Sequence, residues 1–380
     1  MSTSVIEISG EALIKNVEFI KRLTNDTQIS AVVKGNAYGH GIERIVPICE
    51  KAGIRSFSVF SSDEAKRVYK VKQEESIIYI MGFVHPDDFE WIINNNIQFS
   101  IYDLSILRNA LQVTDTKDGI LRIHLDVETG MNRTGLSKED LKIAVSIIKA
   151  HESKIKLVGV STHLAGAESV ANYLRIRKQL QVFRRRIKYV ESKALYPEFK
   201  HCACSAGFVN YPESIMDMIR VGIFLYGYWP TRETYIGYIT KHRLRTDPLM
   251  RVIKWKTKVM NTRFIREGEF IGYGLAYQAQ TEMHIAIIPV GYSDGYSRQL
   301  SNNGHVLIHG QRADVIGLVN MNMTIIDISN IENVNNGDEV VLIGKQKNME
   351  ISFGSFAEMN NNLNYELLSR LSENTRRITI

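Results

Sequence analysis

The sequence predicts two domains, an N-terminal (β/α)8 barrel and a C-terminal mainly β domain. Three observations predict them. The chain has 380 residues, more than one core usually serves. Up to about residue 230, short apolar runs alternate with longer amphipathic stretches. Beyond it, short strand-like runs are separated by turn residues and helical periodicity nearly vanishes until Phe356.

In the first part the apolar runs are Ile29–Val33, Phe57–Phe60, Ile77–Met81, Ile97–Ile101, Leu121–Asp126, Leu157–Ser161, Phe199–Ala203 and Ile219–Gly222. Between them, Glu43–Ala52, Asp63–Val71, Asp88–Asn94, Lys138–Ala150 and Ser169–Val190 carry apolar residues three or four apart, the spacing of one helix face. Eight strand–helix alternations are what a (β/α)8 barrel needs. A doubly wound open sheet gives a similar count, and periodicity alone does not close a barrel. In the second part, Val252–Met260, His284–Val290, His305–Ile308, Val315–Val319, Met323–Ile328 and Glu339–Ile343 read as strands. Asn303-Gly304, His309-Gly310 and Asn336-Gly337 mark turns, and the polar stretch from Pro230 to about Asp247 reads as the connection. The expected domains are residues 9–235 and residues 236–380 together with 1–8.

Composition narrows the function. With 44% hydrophobic and 23% charged residues, the chain is an ordinary globular protein. Its net charge of +6 is scattered, and the densest basic run (Arg184, Arg185, Arg186, Lys188) falls inside a helical pattern. That makes a solvated helix face rather than a nucleic-acid patch. Cys49, Cys202 and Cys204 form neither a disulfide framework nor a zinc ligand set, so no metal is expected. No run approaches the ~20 apolar residues of a membrane span, and no signal peptide is recognisable, which implies a cytoplasmic protein without membrane partners.

The most informative stretch is Ala31-Val32-Val33-Lys34-Gly35-Asn36-Ala37-Tyr38-Gly39-His40-Gly41. An apolar strand ends in a single lysine, followed by three glycines within seven residues. In a barrel the C-terminal strand ends face the active site, so Lys34 would point into it. Low-dielectric walls disfavour the charged amine and favour an imine with an aldehyde cofactor. A lone lysine would more simply turn to solvent; the glycines, Tyr38 and His40 weigh against that.

Lys-Gly-Asn-Ala-Tyr-Gly-His-Gly resembles the pyridoxal-phosphate signature of the alanine racemase family, whose usual form has Ala where Gly35 stands. The likeness runs in order from Ile6 to about Arg377. It implies the barrel-plus-β-domain fold, pyridoxal 5'-phosphate on Lys34, a head-to-tail homodimer, and an isomerase making D-alanine as a peptidoglycan precursor. The Ile6–Ile8 stretch would join the β domain.

The family motifs carry further roles to this chain. In Met218-Ile219-Arg220-Val221-Gly222-Ile223, Arg220 would face the pyridine nitrogen. A guanidinium only donates hydrogen bonds, so that nitrogen would stay unprotonated and rapid reprotonation of the α-carbon would win over transamination. The backbone N–H groups of Gly222 and Ile223, with Ser205, would bind the phosphate. His201 would orient Arg220, His163 would pack by the pyridine ring, and Tyr38 and Tyr365 would lie near the phosphate. Without the resemblance, each of these reads more simply as an ordinary packing residue or rim ion pair.

Racemisation needs a proton handler on each face of the α-carbon, the second within ~3 Å of the proton it moves. Gly272-Tyr273-Gly274-Leu275-Ala276-Tyr277 resembles the motif supplying it, so Tyr273 of one subunit would oppose Lys34 of the other. A phenol ordinarily titrates near ~10, and Arg133 is the positive neighbour that would make it usable. Arg133 would also bind the substrate carboxylate, Met321 would present its backbone there, and Tyr292 would narrow the entrance.

The sequence departs from the family in three motifs. Asp126 stands where many members carry a carbamylated lysine that steadies the arginine; its carboxylate, or a bound anion or water, would substitute. Asn320-Met321-Asn322 replaces the usual Cys-Met-Asp, which opens serine or broader amino-acid racemisation as an alternative to alanine. Gly35 replaces alanine, with little expected consequence beyond backbone freedom. A non-catalytic pyridoxal-phosphate carrier would lack the β domain and Tyr273. A two-domain decarboxylase would carry a cysteine in its β domain, where this chain has none.

Overall fold

In the computed structural model, which describes residues 4–114, 119–352 and 364–380, the chain divides into two compact units. One comprises Ala12–Lys34 and Ile45–Met250; the other comprises the N-terminal residues to Glu11, Gly35–Arg44 and Arg251–Ile380.

The first strand, β1 (Ser4–Ile8), belongs to the second unit. The first unit holds β2 (Gln28–Val32), β3 (Ser56–Val59), β4 (Ile77–Ile80), β5 (Gln98–Ile101), β6 (Leu121–Asp126), β7 (Ile155–Ser161), β8 (Phe199–His201) and β9 (Met218–Val221). They pair in parallel in the order β8-β7-β6-β5-β4-β3-β2-β9. The two end strands are stitched by Asp217 N to Lys200 O (3.2 Å) and Arg220 N to Ala203 O (3.0 Å), which nearly closes the barrel. Strands β3, β5 and β9 are buried along their whole length, as the continuous apolar runs require when helices cover the outer face. The helices start where capping chemistry permits. Ser61 accepts from Glu64 N and Ser137 from Asp140 N, each with two acidic residues in the first turn.

The polar stretch expected as a plain connection contains a helix, Arg232–His242. Thr231 caps it by accepting from Thr234 N, and Arg243 ends it in a left-handed conformation. It lacks an apolar stripe, so periodicity does not reveal it.

The second unit carries β10 (Ile253–Lys258), β11 (Asn261–Ile265), β12 (Met283–Ile288), β13 (His305–Ile308), β14 (Gln311–Asp314), β15 (Thr324–Asp327), β16 (Glu339–Gln346), β17 (Met349–Ile351) and β18 (Arg376–Thr379). One sheet runs β14-β13-β16-β10-β1-β18, with β17 on β16; a second runs β11-β12-β15. The N-terminal strand joins this unit as expected, antiparallel to β10 and parallel to β18. The expected Val315–Val319 strand is displaced to β14, which continues the β13 hairpin through His309-Gly310. Gly317, in the left-handed region, breaks the later run.

Candidate active site

Lys34 follows directly on β2, one residue after Val33, whose N–H is tied to Ser58 O on β3 (2.9 Å). Tyr226 Oη donates to Val32 O (3.0 Å), pinning the strand end two residues before the lysine. Lys34 is an exposed residue at the C-terminal end of β2, yet the surrounding protein lowers its pKa. Desolvation acts first, then the charge of Arg133, with Arg220 adding and Glu64 opposing.

After Lys34 the backbone winds the wrong way. Gly35, Asn36, Ala37 and Tyr38 all have φ between 52° and 61°, a left-handed turn closed by Gly39 N to Gly35 O (3.0 Å). Such a turn costs an L-residue roughly 1–2 kcal/mol, so it must be held. Buried His40 donates from Nδ1 to Ala37 O (3.0 Å) and Tyr38 O (2.9 Å), and burial lowers its pKa to about 4, keeping the ring neutral. Arg377 on β18 donates from Nε to Gly39 O (2.8 Å). A side chain at Gly39 would meet Leu368 O at 2.0 Å, so only glycine fits there. Tyr38 sits at the end of this turn, half-buried.

On β9, the strand paired with β2, Arg220 is buried and donates to Thr162 O (2.8 Å), to His201 O (3.3 Å) and to His201 Nδ1. Gly222 N points at Ser205 Oγ (3.3 Å), which brings together two of the expected phosphate donors; Ile223 follows, buried. His163 ends the strand-to-loop passage after β7. Desolvation first, then the charges of Arg220, Arg133 and Lys34, lower its pKa to about 3. These four residues therefore share one electrostatic neighbourhood.

Arg133 is exposed and borders an open cleft of about 480 Å³ with Tyr102, Asp103, Ser105 and Thr134. Its loop is organised by Glu128, whose carboxylate accepts from the backbone N–H of Gly130, Met131 (2.8 Å) and Asn132 (2.9 Å). Asp126 accepts from Ser161 Oγ (3.2 Å) and Thr134 Oγ1 (3.4 Å). Desolvation raises its pKa to about 6, against the charges of Arg220 and Arg133. At neutral pH it is therefore largely ionised.

Tyr273 lies in the second unit and is 71% exposed. Its loop is nonetheless pinned. Ile271 N bonds Tyr277 O (3.0 Å), Asn302 Nδ2 reaches Ala276 O (3.0 Å), and Asn302 Oδ1 takes Gly317 N (2.6 Å). Gly272 (φ 78°) and Gly274 (φ 66°) supply the left-handed turns on either side. Beneath, Ile271, Ala279, Met283, Ile285 and Ile316 form a core cluster. Tyr292 and Met321 are brought together, since Tyr292 N donates to Asn320 O (3.0 Å) and Ser293 N to Met321 O (3.0 Å). Asn322 Nδ2 donates to Ser293 Oγ (2.8 Å), the use this chain makes of its unusual asparagine. The side chain of Tyr365 lies outside the described residues.

Several site-supporting residues escaped the sequence reading. Gln179 ties the loops together, donating to Thr129 Oγ1 (3.1 Å) and His163 O (3.0 Å) and accepting from Ala165 N (2.8 Å). Tyr226 and Glu128 belong with it. Buried His124, between Ile123 and Leu125 on β6, belongs with them as well. Among the described residues, no group of His, Cys, Asp and Glu could hold a metal, and no helix is long and apolar enough to cross a membrane.

An amine with a lowered pKa, a Gly–Ser pair with groups able to donate to a phosphate, and a donor-only arginine suit pyridoxal phosphate. Comparison with known proteins points the same way. Residues 8–230 match the family described as alanine racemase, N-terminal domain, and residues 252–379 match alanine racemase, C-terminal domain. An alanine racemase of Leptospira interrogans is 31% identical over 383 residues, covering 100% of this chain and 96% of the relative. One of Halalkalibacterium halodurans is 33% identical over 381 residues, covering 98% and 94%. The crystal structure of the Bacillus anthracis alanine racemase with bound L-Ala-P superposes with a TM-score of 0.91 at 28% identity, covering 100% of this chain and 95% of that one. That of Bartonella henselae, described with covalently bound pyridoxal phosphate, gives 0.85 at 28% identity, with 100% of both chains covered.

Proposed function

We propose, from the premise that the chain belongs to the alanine racemase family of pyridoxal-phosphate-dependent isomerases interconverting L- and D-alanine, how its own residues divide that work. Bound at Lys34, the cofactor supplies the electron sink that acidifies the α C–H of the amino acid. Lys34 handles the proton on one face of the α-carbon, where desolvation and the charges of Arg133 and Arg220 disfavour its charged form. Tyr273 handles the other face. Arg220 donates toward the pyridine nitrogen, Ser205, Gly222 and Ile223 take the phosphate with Tyr38 and Tyr365 nearby, His163 packs against the ring, and His201 orients Arg220. Arg133 and the Met321 backbone hold the substrate carboxylate, and Tyr292 narrows the approach.

The observation that carries this reading is Lys34 at the mouth of the barrel, its pKa lowered by desolvation and by Arg133 and Arg220. A tyrosine 71% exposed on a pinned loop cannot govern proton transfer from open water. Its exposure, shared with Leu275 (81%) and Phe264 (82%), supports a homodimer in which residues 236–380 with 1–8 of one copy complete the barrel site, residues 9–235, of the other. A cytoplasmic location fits that role.

The test is turnover in both directions, L to D and D to L, by the purified protein with added cofactor. Dilution that dissociates the dimer should abolish turnover while the lysine-bound cofactor absorbance persists. Asp126 in place of a carbamylated lysine leads to turnover independent of bicarbonate; a measured dependence would remove that role. Comparable rates on L-Ser, L-Lys or L-Arg would replace alanine specificity with the broader reading that Asn320 and Asn322 leave open.

A further inference from the structure

Arg220, His201, His124 and Gln98 form one hydrogen-bonded line through the barrel interior, running from β9 through β8 and β6 to β5. His124 Nδ1 lies 2.9 Å from His201 Nε2, and His124 Nε2 lies 2.8 Å from Gln98 Oε1. Both histidines are fully buried. Strand β7 lies between β6 and β8, and the line passes it at Gly159, where a Cβ would meet His124 Nδ1 at 2.1 Å. The pairing of β6 with β7 shifts register between Ile123 and His124, beside that gap.

The chemistry of one end fixes every proton in the line. A guanidinium has only donors, so His201 Nδ1 must be bare. A neutral ring then carries its proton on Nε2 and gives it to His124 Nδ1. His124 in turn carries its proton on Nε2 and gives it to the amide oxygen of Gln98. The opposite sense, with the Gln98 amide donating, would leave His201 with no proton at all. A doubly protonated ring at either position would set donor against donor. The other groups packed here agree with neutrality. Tyr79 stacks on His124 at 4.2 Å and meets His201 edge-on at 5.6 Å, while desolvation and the Arg220 charge bring His124 to about 3 and His201 well below the usual range.

We propose that Gln98 is a positioning residue for the racemase. Its neutral carbonyl ends a one-way chain that keeps both histidines in the Nε2–H form and Arg220 aimed as a donor at the cofactor nitrogen, and Gly159 is the opening that lets the chain cross. The inference rests on the reading of Arg220 given above. Replacing the amide by a carboxylate reverses the logic. A carboxylate at 98 draws a second proton onto His124, His201 must then accept at Nε2 and carry its proton on Nδ1, and that N–H displaces Arg220.

The test uses the cofactor-loaded enzyme labelled with 15N-histidine. In the unmodified protein, both rings should show Nε2–H and neither should titrate above pH 5. In Gln98→Glu, His124 should titrate at least one pH unit higher, the His201 proton should move to Nδ1, and kcat should fall at least tenfold with KM little changed. Gly159→Ala should break the His124–His201 coupling with no change of charge. An Nδ1–H form of either ring in the unmodified protein overturns the proposal without recourse to any variant, as does a Gln98→Glu enzyme with both tautomers and kcat unchanged. If instead the preparation binds no cofactor at Lys34, the functional reading fails while the tautomers, read in the same sample, still decide the proton chain.

Discussion

The barrel mouth and the Tyr273 loop solve the same problem, placing one proton-handling side chain, by opposite means. Around Arg220 the barrel buries its polar groups and pairs them with one another, and the charges of Arg220 and Arg133 act on Lys34 from within the same unit. The Tyr273 loop buries only its base and holds its tip by backbone bonds and Asn302, leaving the phenol outside. The first arrangement tunes acidity; the second fixes place and leaves acidity to whatever covers it. A loop of this kind is ordered in advance, so that little entropy is lost when a second surface arrives.

The contrast can be broken at several points. Lys34→Ala should remove the lysine-bound cofactor absorbance and lower turnover by at least about 10⁴-fold, and substantial residual racemisation would dissolve the role of the barrel half. Tyr273→Phe should keep that absorbance and lose about 10²–10⁴-fold in turnover, seen most directly as a changed solvent-isotope pattern from one enantiomer.

Asp126 offers a pH test. Its folded pKa of about 6 lies above the ordinary carboxyl value, so the folded protein holds this proton more tightly than the unfolded chain. The resulting stabilisation is complete below the unfolded pKa near ~4 and is lost as pH rises through 6, a change of about 3 kcal/mol. Asp126→Asn should flatten that fall, and urea midpoints of the cofactor-free protein from pH 4 to 8 would report it. Asn302→Ala should cost the Tyr273 loop about 1 kcal/mol of order and lower kcat several-fold with cofactor binding untouched. Gly35→Ala comes last. Open space surrounds that position, so only the left-handed backbone resists a methyl, worth about 1 kcal/mol in thermal unfolding.

Much of the barrel was legible because its strands are buried on both faces and read as unbroken apolar runs. Leu121–Asp126 and Lys138–Ala150 were placed to the residue. The helix Arg232–His242 escaped because its signal is a cap, Thr231, without an apolar stripe. Strand β11 escaped because its residues are largely exposed, and β14 because pairing with β13 rather than hydrophobicity makes it a strand. Lys34 and Arg220 stood out through their motifs. Gln98, His124 and Gly159 did not, because their meaning lies in contacts between distant strands, 26 and 77 residues apart along the chain for the two ring bonds. A glycine that opens a passage for a neighbour's ring leaves no periodic trace.

The left-handed turn after Lys34 has a consequence for biosynthesis. One of its clamps, Arg377, lies 338 residues further along, on a strand that also completes the sheet beside β1. A nascent polypeptide emerging from the ribosome can form the first barrel strand early, but it cannot lock the bend behind the lysine until the last strand has been synthesised. That clamp therefore closes only once β18 exists, and a change at Arg377 should be felt 338 residues away at Gly39.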